Sequence, residues 1–188
     1  MGRLVRKGDF AMAIDDIAAL VESFGFECVG TCAAVGLRAR ADVREMCAAD
    51  RCRMFGRNWS CPPACGDIGA CEALMHDKAR CIVVQTVRNL EDEFDVETMM
   101  EAERIQKERM LALADALRDG GREALVLTSG ACTLCAECTY PGAPCRFPNR
   151  RYSSMEAFGL MVSEVCALAG VPYTHGAGTI AYTGALLV

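Results

Sequence analysis

Residues 81–128, CIVVQTVRNLEDEFDVETMMEAERIQKERMLALADALRDGGREALVLT, decide the fold. The first seven, Cys81 to Val87, are apolar apart from Gln85 and Thr86, and the branched Val83, Val84 and Val87 mark them as a buried strand. From Val96 to Arg118 the chain turns to Glu, Met, Arg and Leu, which favour helix, and Asp119-Gly120-Gly121 closes that helix. ALVLT at 124–128 reads as a second buried strand. Strand, long helix and strand in succession predict an α/β domain.

Working outward, Phe10, Ile14, Ile17, Val21 and Phe24 recur every three to four residues, so 11–24 is predicted to be an amphipathic helix that ends at Gly25. A strand is expected at Phe26 to Thr31, and a weaker extended segment between Val35 and Val43. From Cys47 to Gly69 the chain contains Pro62-Pro63, Gly56 and Gly66 and little periodicity, which reads as a loop. Cys71, Leu74, Met75 and Lys78 then suggest a short helix. After the second strand, Ser153 with Glu156 three residues on has the form of a capping box. Met155, Phe158, Met161, Val162, Val165 and Leu168 continue it as one helical face up to Ala169. TIAYTGALLV, 179–188, is expected to be the last strand. No internal repeat, low-complexity segment or Pro/Ser-rich linker divides the chain. The expectation is one α/β domain over 1–188, a mixed sheet flanked by helices, with two cysteine-rich loops at its edge.

The chain has 188 residues, 52% of them apolar and 24% charged, with a net charge of −5. That length lets a single core bury roughly 70% of the unfolded surface. The composition excludes a disordered polymer, and the acidic balance argues against a general nucleic-acid or anionic-membrane binder. Asp9, Asp15 and Asp16 interrupt what would be the apolar core of a signal peptide, and no 18-residue apolar stretch follows, so a cytoplasmic protein without a membrane span is expected. Thirteen cysteines are far more than such a core needs. In a reducing compartment, clustered thiols read as metal ligands rather than disulfides.

The cysteines form two groups. Cys132-x2-Cys135-x2-Cys138 is the spacing with which a short loop wraps one face of an iron–sulfur cubane, and Cys145 can return for the fourth corner. Six residues rather than three separate the last two, and Arg146 rather than proline follows Cys145, so all four can serve one [4Fe–4S] cluster. Structural zinc is the alternative, although zinc sites of four thiolates commonly pair two close knuckles at a wider separation. The first group, Cys47-x4-Cys52-x8-Cys61-Pro62-Pro63, is less regular. Its fourth ligand is either Cys65 or Cys71. Cys28, Cys32, Cys81 and Cys166 lie in predicted strands and a helix and read as small apolar core residues, with Cys28 or Cys32 a lesser candidate for a missing ligand.

Taken together, Cys47…Cys52-Arg-Met-Phe-Gly-Arg-Asn-Trp-Ser-Cys61-Pro-Pro and Cys132-x2-Cys135-x2-Cys138…Pro144-Cys145-Arg-Phe-Pro148…Arg151-Tyr-Ser-Ser-Met-Glu-Ala-Phe-Gly159 resemble the DUF2284 family of prokaryotic predicted metal-binding proteins. The resemblance covers nearly the whole chain and keeps the family's motif order. It implies a cysteine-ligated metal or iron–sulfur protein and carries no established reaction. Phe55 stands where the family commonly has Tyr. Cys65 looks peculiar to this sequence, which favours Cys71 as the fourth ligand of the first site.

Arg51, Arg53 and Arg57 lie in the first loop, and Arg146, Arg150 and Arg151 follow the second. Such guanidinium groups either offset the negative charge of a thiolate-ligated cluster or form a docking face for an acidic redox partner; ordinary solvated loop charge is the plain alternative. A helix N-terminus near Ser153 would add positive dipole beside the second site. Trp59, the only tryptophan, is expected to pack over the first loop, and His76, His175 and the Met99, Met100, Met110 series read as structural. The leading function is a carrier of two [4Fe–4S] clusters that passes electrons to a partner enzyme. The alternatives are an enzyme with an open iron at the first site, and a structural zinc protein. Oligomeric state is left open, with the strand Cys81–Val87 or the C-terminal strand as a candidate pairing edge.

Overall fold

A computed structural model describes residues 14–188, with side chains from Ile17 onward; residues 11–13 of the expected first helix, and Phe10 before them, lie outside that range. The elements in chain order are α1 (Ile14–Ser23), β1 (Cys28–Ala33), a 3-10 turn (Ala34–Gly36), α2 (Ala41–Ala48), α3 (Ile68–His76), β2 (Arg80–Asn89), α4 (Val96–Asp119), β3 (Leu125–Thr128), β4 (Ser153–Ser154), a second 3-10 turn (Glu156–Phe158), α5 (Val162–Ala169) and β5 (Thr179–Leu187). The expected strand–helix–strand segment is β2, α4 and β3.

These strands form one mixed sheet in the order β1-β2-β5-β3-β4. β1 with β2, β2 with β5 and β5 with β3 are antiparallel, and only β3 with β4 is parallel. β2 and β5 are therefore interior strands, and the edges are β1 and β4. Neither strand suggested as a pairing edge is one.

Helices cover both faces, which explains why Cys81–Val84 is an unbroken apolar run and not an alternating one. Ile82 and Val84 join Ile17, Val21, Met110, Leu113 and Leu117 in a core beneath α1 and α4. Cys81 and Val83 point the other way, into a second core with Met75, Leu127, Phe158, Val165 and Cys166 beneath α3 and α5. The long helix sits close to the sheet because β5 carries Gly184, where a Cβ would overlap the Met110 sulfur. Met110 is fully buried whereas Met100 is exposed, so the methionine series is only partly packing.

Two expectations fail. Val35–Val43 is not extended: after the 3-10 turn the chain enters α2, whose Ala41, Arg44, Glu45, Met46 and Ala48 favour helix, and of which only Val43 is fully buried. Cys47 therefore sits on the last turn of a helix. The helix expected from Ser153 is also absent there. Ser153 and Ser154 pair with β3, and Ser154 Oγ accepts from Ala157 N at 3.0 Å. Gly159, at φ 75°, then turns the chain so that its carbonyl accepts from Arg40 N at 2.8 Å. A Cβ there would come within about 3.0 Å of the Arg40 backbone, so glycine is required twice over. Helix α5 begins only at Val162, and no helix N-terminus lies at Ser153.

Candidate metal centres

The second cysteine loop leaves β3 directly, immediately after Thr128 and Ser129, whose buried hydroxyls have no partner among the described residues. Cys132, Cys135, Cys138 and Cys145 all line one small cavity, together with Asn58 and Trp59 of the first loop and with Arg146 and Arg151. Tyr152, 1% exposed, anchors the loop from below: its hydroxyl accepts from Thr133 N at 2.9 Å and lies 2.8 Å from Thr133 Oγ1. Burial pushes the Cys132 thiol up, against backbone hydrogen bonds from Leu134 and Tyr152 that pull it down. A bound cation would reverse that upward shift, because coordination deprotonates a thiol.

The first group divides. Cys47, Cys52 and Cys61 form a trio in which burial pushes the Cys47 and Cys61 thiols up and the neighbouring thiols add to that shift. Glu156 also faces Cys47, an acidic neighbour that sequence reading missed. Cys65 and Cys71 form a hydrogen-bonded pair. Cys71 is 0% exposed, packed with Met75 and Phe158, and its Sγ donates to Cys65 O at 3.6 Å. Its hydrogen bond with Cys65, assisted by Arg44, lowers Cys71 to about 6, while the same bond and burial raise Cys65. Cys65 also feels Cys61, whose carbonyl accepts from Cys65 N at 3.0 Å.

Arg44 organises this corner. Its guanidinium donates to Cys71 Sγ at 3.7 Å, to Cys65 Sγ at 3.5 Å, to Ala157 O at 2.7 Å and to Gly66 O. It escaped notice because the segment was read as extended; on a helix, Arg44 and Cys47 share a face at i and i+3. A cleft of about 540 Å³ lies alongside, lined by Arg44, Phe55, Pro62, Pro63, Gly66 and Asp67 among others.

The two regions touch. Trp59 packs on the second loop and not, as expected, over the first: its ring meets Tyr140 edge-on at 4.9 Å, and its Nε1 donates to Thr139 Oγ1 at 3.3 Å and Ala143 O at 3.1 Å. Its backbone N–H donates to Cys138 Sγ at 3.4 Å. Cys132 N donates to Ser60 Oγ at 3.0 Å and Asn58 Nδ2 donates to Cys132 O at 3.1 Å.

The remaining residues are accounted for. Cys28 and Cys32 on β1 pack with buried Cys81 and Cys166, at the sheet edge opposite the second loop. Cys32 lies across from Cys81, and their hydrogen bond lowers Cys32 to about 7 and raises Cys81. His76 Nε2 lies 2.9 Å from Leu37 O and His175 Nε2 lies 3.0 Å from Gln85 Oε1, both structural contacts. Of the six loop arginines, all exposed, Arg57 pairs with Asp50 at 3.8 Å and Arg150 with Asp115 at 2.7 Å. Arg146 donates to Glu137 O at 2.9 Å. Arg51, Arg53 and Arg151 form no ion pair among the described residues.

Soft thiol donors converging on one cavity, with an N–H aimed at one sulfur, are a donor set suited to a thiolate-bound metal. A family model described as "Predicted metal-binding protein (DUF2284)" matches residues 31–188. The chain belongs to the DUF2284 family. The match spans both cysteine regions, and the family is described as metal-binding, with which the many cysteines are consistent. No curated protein and no solved structure matches this DUF2284 chain. Among the described residues, no three His, Cys, Asp or Glu side chains close on a point as a single ion requires. A cubane does not ask that of them, since each thiolate there binds a different iron. Among the described residues no helix is long and apolar enough to cross a membrane.

Proposed function

We propose that this protein is an electron carrier holding two [4Fe–4S] clusters. The lining of a single cavity by Cys132, Cys135, Cys138 and Cys145 carries the reading, because it brings the whole spaced set to one place. At the first site Cys47, Cys52 and Cys61 are the ligands. The backbone hydrogen bond from Cys65 N to Cys61 O, against the full burial of Cys71, supports Cys65 as the fourth. When bound, such clusters supply one-electron chemistry. The chain's own residues set its terms: Arg146 and Arg151 at the cavity offset negative charge, and Arg51, Arg53, Arg146 and Arg151 present a basic face to an acidic redox partner.

Anaerobic purification followed by iron, sulfide and zinc analysis tests this. Two cubanes give about eight iron per chain with visible absorption. Stoichiometric zinc in colourless protein overturns the reading in favour of structural zinc.

The cleft of about 540 Å³ beside Arg44 and Pro62 favours one second reading, an enzyme whose first site keeps an iron open to substrate. Separate Cys65→Ser and Cys71→Ser variants decide between the two. If neither disturbs the first cluster's spectrum, that iron is open; if one abolishes it, the site is fully ligated and electron transfer stands.

A further inference from the structure

We propose that the turn Asn58–Ser60 is an electronic bridge between the two sites, and that the Trp59 backbone N–H sets the potential of the second; this rests on both sites being clusters. The turn belongs to the first loop, where Asn58 O accepts from Cys61 N at 3.0 Å and Ser60 Oγ lies 3.7 Å from Cys61 Sγ, yet it also bonds the second. Asn58 is 6% and Ser60 0% exposed. Asn58 Oδ1 accepts from Ser60 N and from Ser60 Oγ, each at 3.0 Å, which shapes the turn. The two side chains then grip Cys132 from both sides, one through its carbonyl and one through its N–H. Held in this way, the Trp59 N–H reaches Cys138 Sγ at 3.4 Å.

A donor aimed at a ligand sulfur favours the state with more negative charge, so it raises a cluster's reduction potential. A backbone donor does this more constantly than a side chain, because no rotamer can take it away. The same bond shortens the path between sites. Cys61 follows Trp59 by two residues, so the Cys138 sulfur lies within roughly 12 Å of the Cys61 Cα. From Cys138 the path crosses one N–H···S bond and then runs along backbone through Ser60 to Cys61. The indole is a separate anchor, since its Nε1 bonds go to Thr139 and Ala143.

The test uses the anaerobically purified holoprotein, reduced with dithionite, which delivers one electron to each cluster and takes [4Fe–4S]2+ to [4Fe–4S]+. Its electron paramagnetic resonance spectrum is expected to show spin–spin splitting. The Cys47→Ala/Cys52→Ala double variant, with iron halved, should show a simple signal. Trp59→Pro deletes the N–H and should move the second cluster's potential to a more negative value, whereas Trp59→Phe keeps the N–H and should leave it in place. If Trp59→Pro fails to fold, Ser60→Ala, which loosens the turn that holds the Trp59 N–H on Cys138 Sγ, should move the potential in the same direction with iron retained. An unsplit wild-type spectrum at full iron content overturns the bridge. So does an unchanged potential in the folded Trp59→Pro or Ser60→Ala variant, or an equal shift in Trp59→Phe. Zinc, or iron for a single cluster, in the wild type refutes the two-cluster reading itself, an outcome distinct from these.

Discussion

Around the second loop four thiols share one cavity, whereas the five thiols of the first region range from exposed Cys52 through half-buried Cys47 and Cys65 to buried Cys61 and Cys71, with Cys65 and Cys71 bonded to each other. Spacing accounts for the contrast. A C-x2-C-x2-C run keeps its cysteines within one short loop, while the three to eight residues between successive cysteines of the first region spread them over a helix, a proline turn and a second helix. Spacing tells where the thiols go only where the chain between them is short. Where it is longer, packing decides, and here packing has given Cys71 a core position and an arginine partner.

The largest expected effect breaks the comparison outright if it fails. Cys135→Ser should remove one cluster and about half of the roughly eight iron per chain. Cys71→Ser should leave iron content intact and lower folding stability by about 1–2 kcal/mol, read by chemical denaturation, because a hydroxyl replaces a thiol in an apolar setting while keeping Arg44 as a partner. Equal iron loss from the two variants would make the regions alike after all.

Arg44→Met sharpens the same contrast. It leaves Cys65, Gly66 O and Ala157 O without their charged donor, and bonds to charged groups contribute about 1.5–3 kcal/mol each at most, so a loss of about 2–4 kcal/mol is expected in chemical denaturation. Tyr152→Phe is the counterpart under the second loop. Only the Thr133 contacts are lost, and the cost should be about 1 kcal/mol, with faster amide exchange at Thr133.

Periodicity fails in this chain only where short elements meet special backbone. β2, α4, β3 and β5 were legible because each is long or apolar enough for its pattern to outweigh local context. α2 was not: it spans eight residues and buries fully only Val43, so its helical character rests on Arg40, Asp42 and the chain's need to meet Gly159. The apolar face drawn from Met155 to Leu168 was real in composition, since Met155, Phe158 and Val165 are all buried. Two elements share it because Gly159 adopts a positive φ, and a glycine reads the same in sequence whichever sign it takes. The four cysteines of the second loop, picked out by spacing, all line one cavity. The contact between the two regions was not legible, because Asn58, Trp59 and Ser60 act through backbone groups and short polar side chains that reach 72 to 79 positions along the chain.

The smallest effect concerns how the second loop's return is tied down. Arg150, five residues beyond Cys145, bonds Asp115 of α4 at 2.7 Å, and Arg118 bonds the same carboxylate at 2.6 Å. Burial pushes the Asp115 carboxyl up, and the two arginines outweigh it, so the net shift is below its ordinary 3.8. A carboxylate held low in the folded state adds stability that is present above the unfolded value and lost as pH falls through the folded one. The Asp115 side chain is 34% exposed, so solvent screening holds the contribution to about 0.5–1 kcal/mol. Chemical denaturation of wild type and Asp115→Asn should therefore differ by that amount at pH 6 and converge below pH 3.8. Thiolates also protonate in acid, but they do so in both proteins, so the difference isolates Asp115. The first region has a pair of its own, Arg57 with Asp50 at 3.8 Å, with the Arg57 side chain 65% exposed and no second arginine on the carboxylate. Asp50→Asn should consequently show a smaller gap at pH 6, since a long, exposed pair is weaker than a close and doubly bonded one.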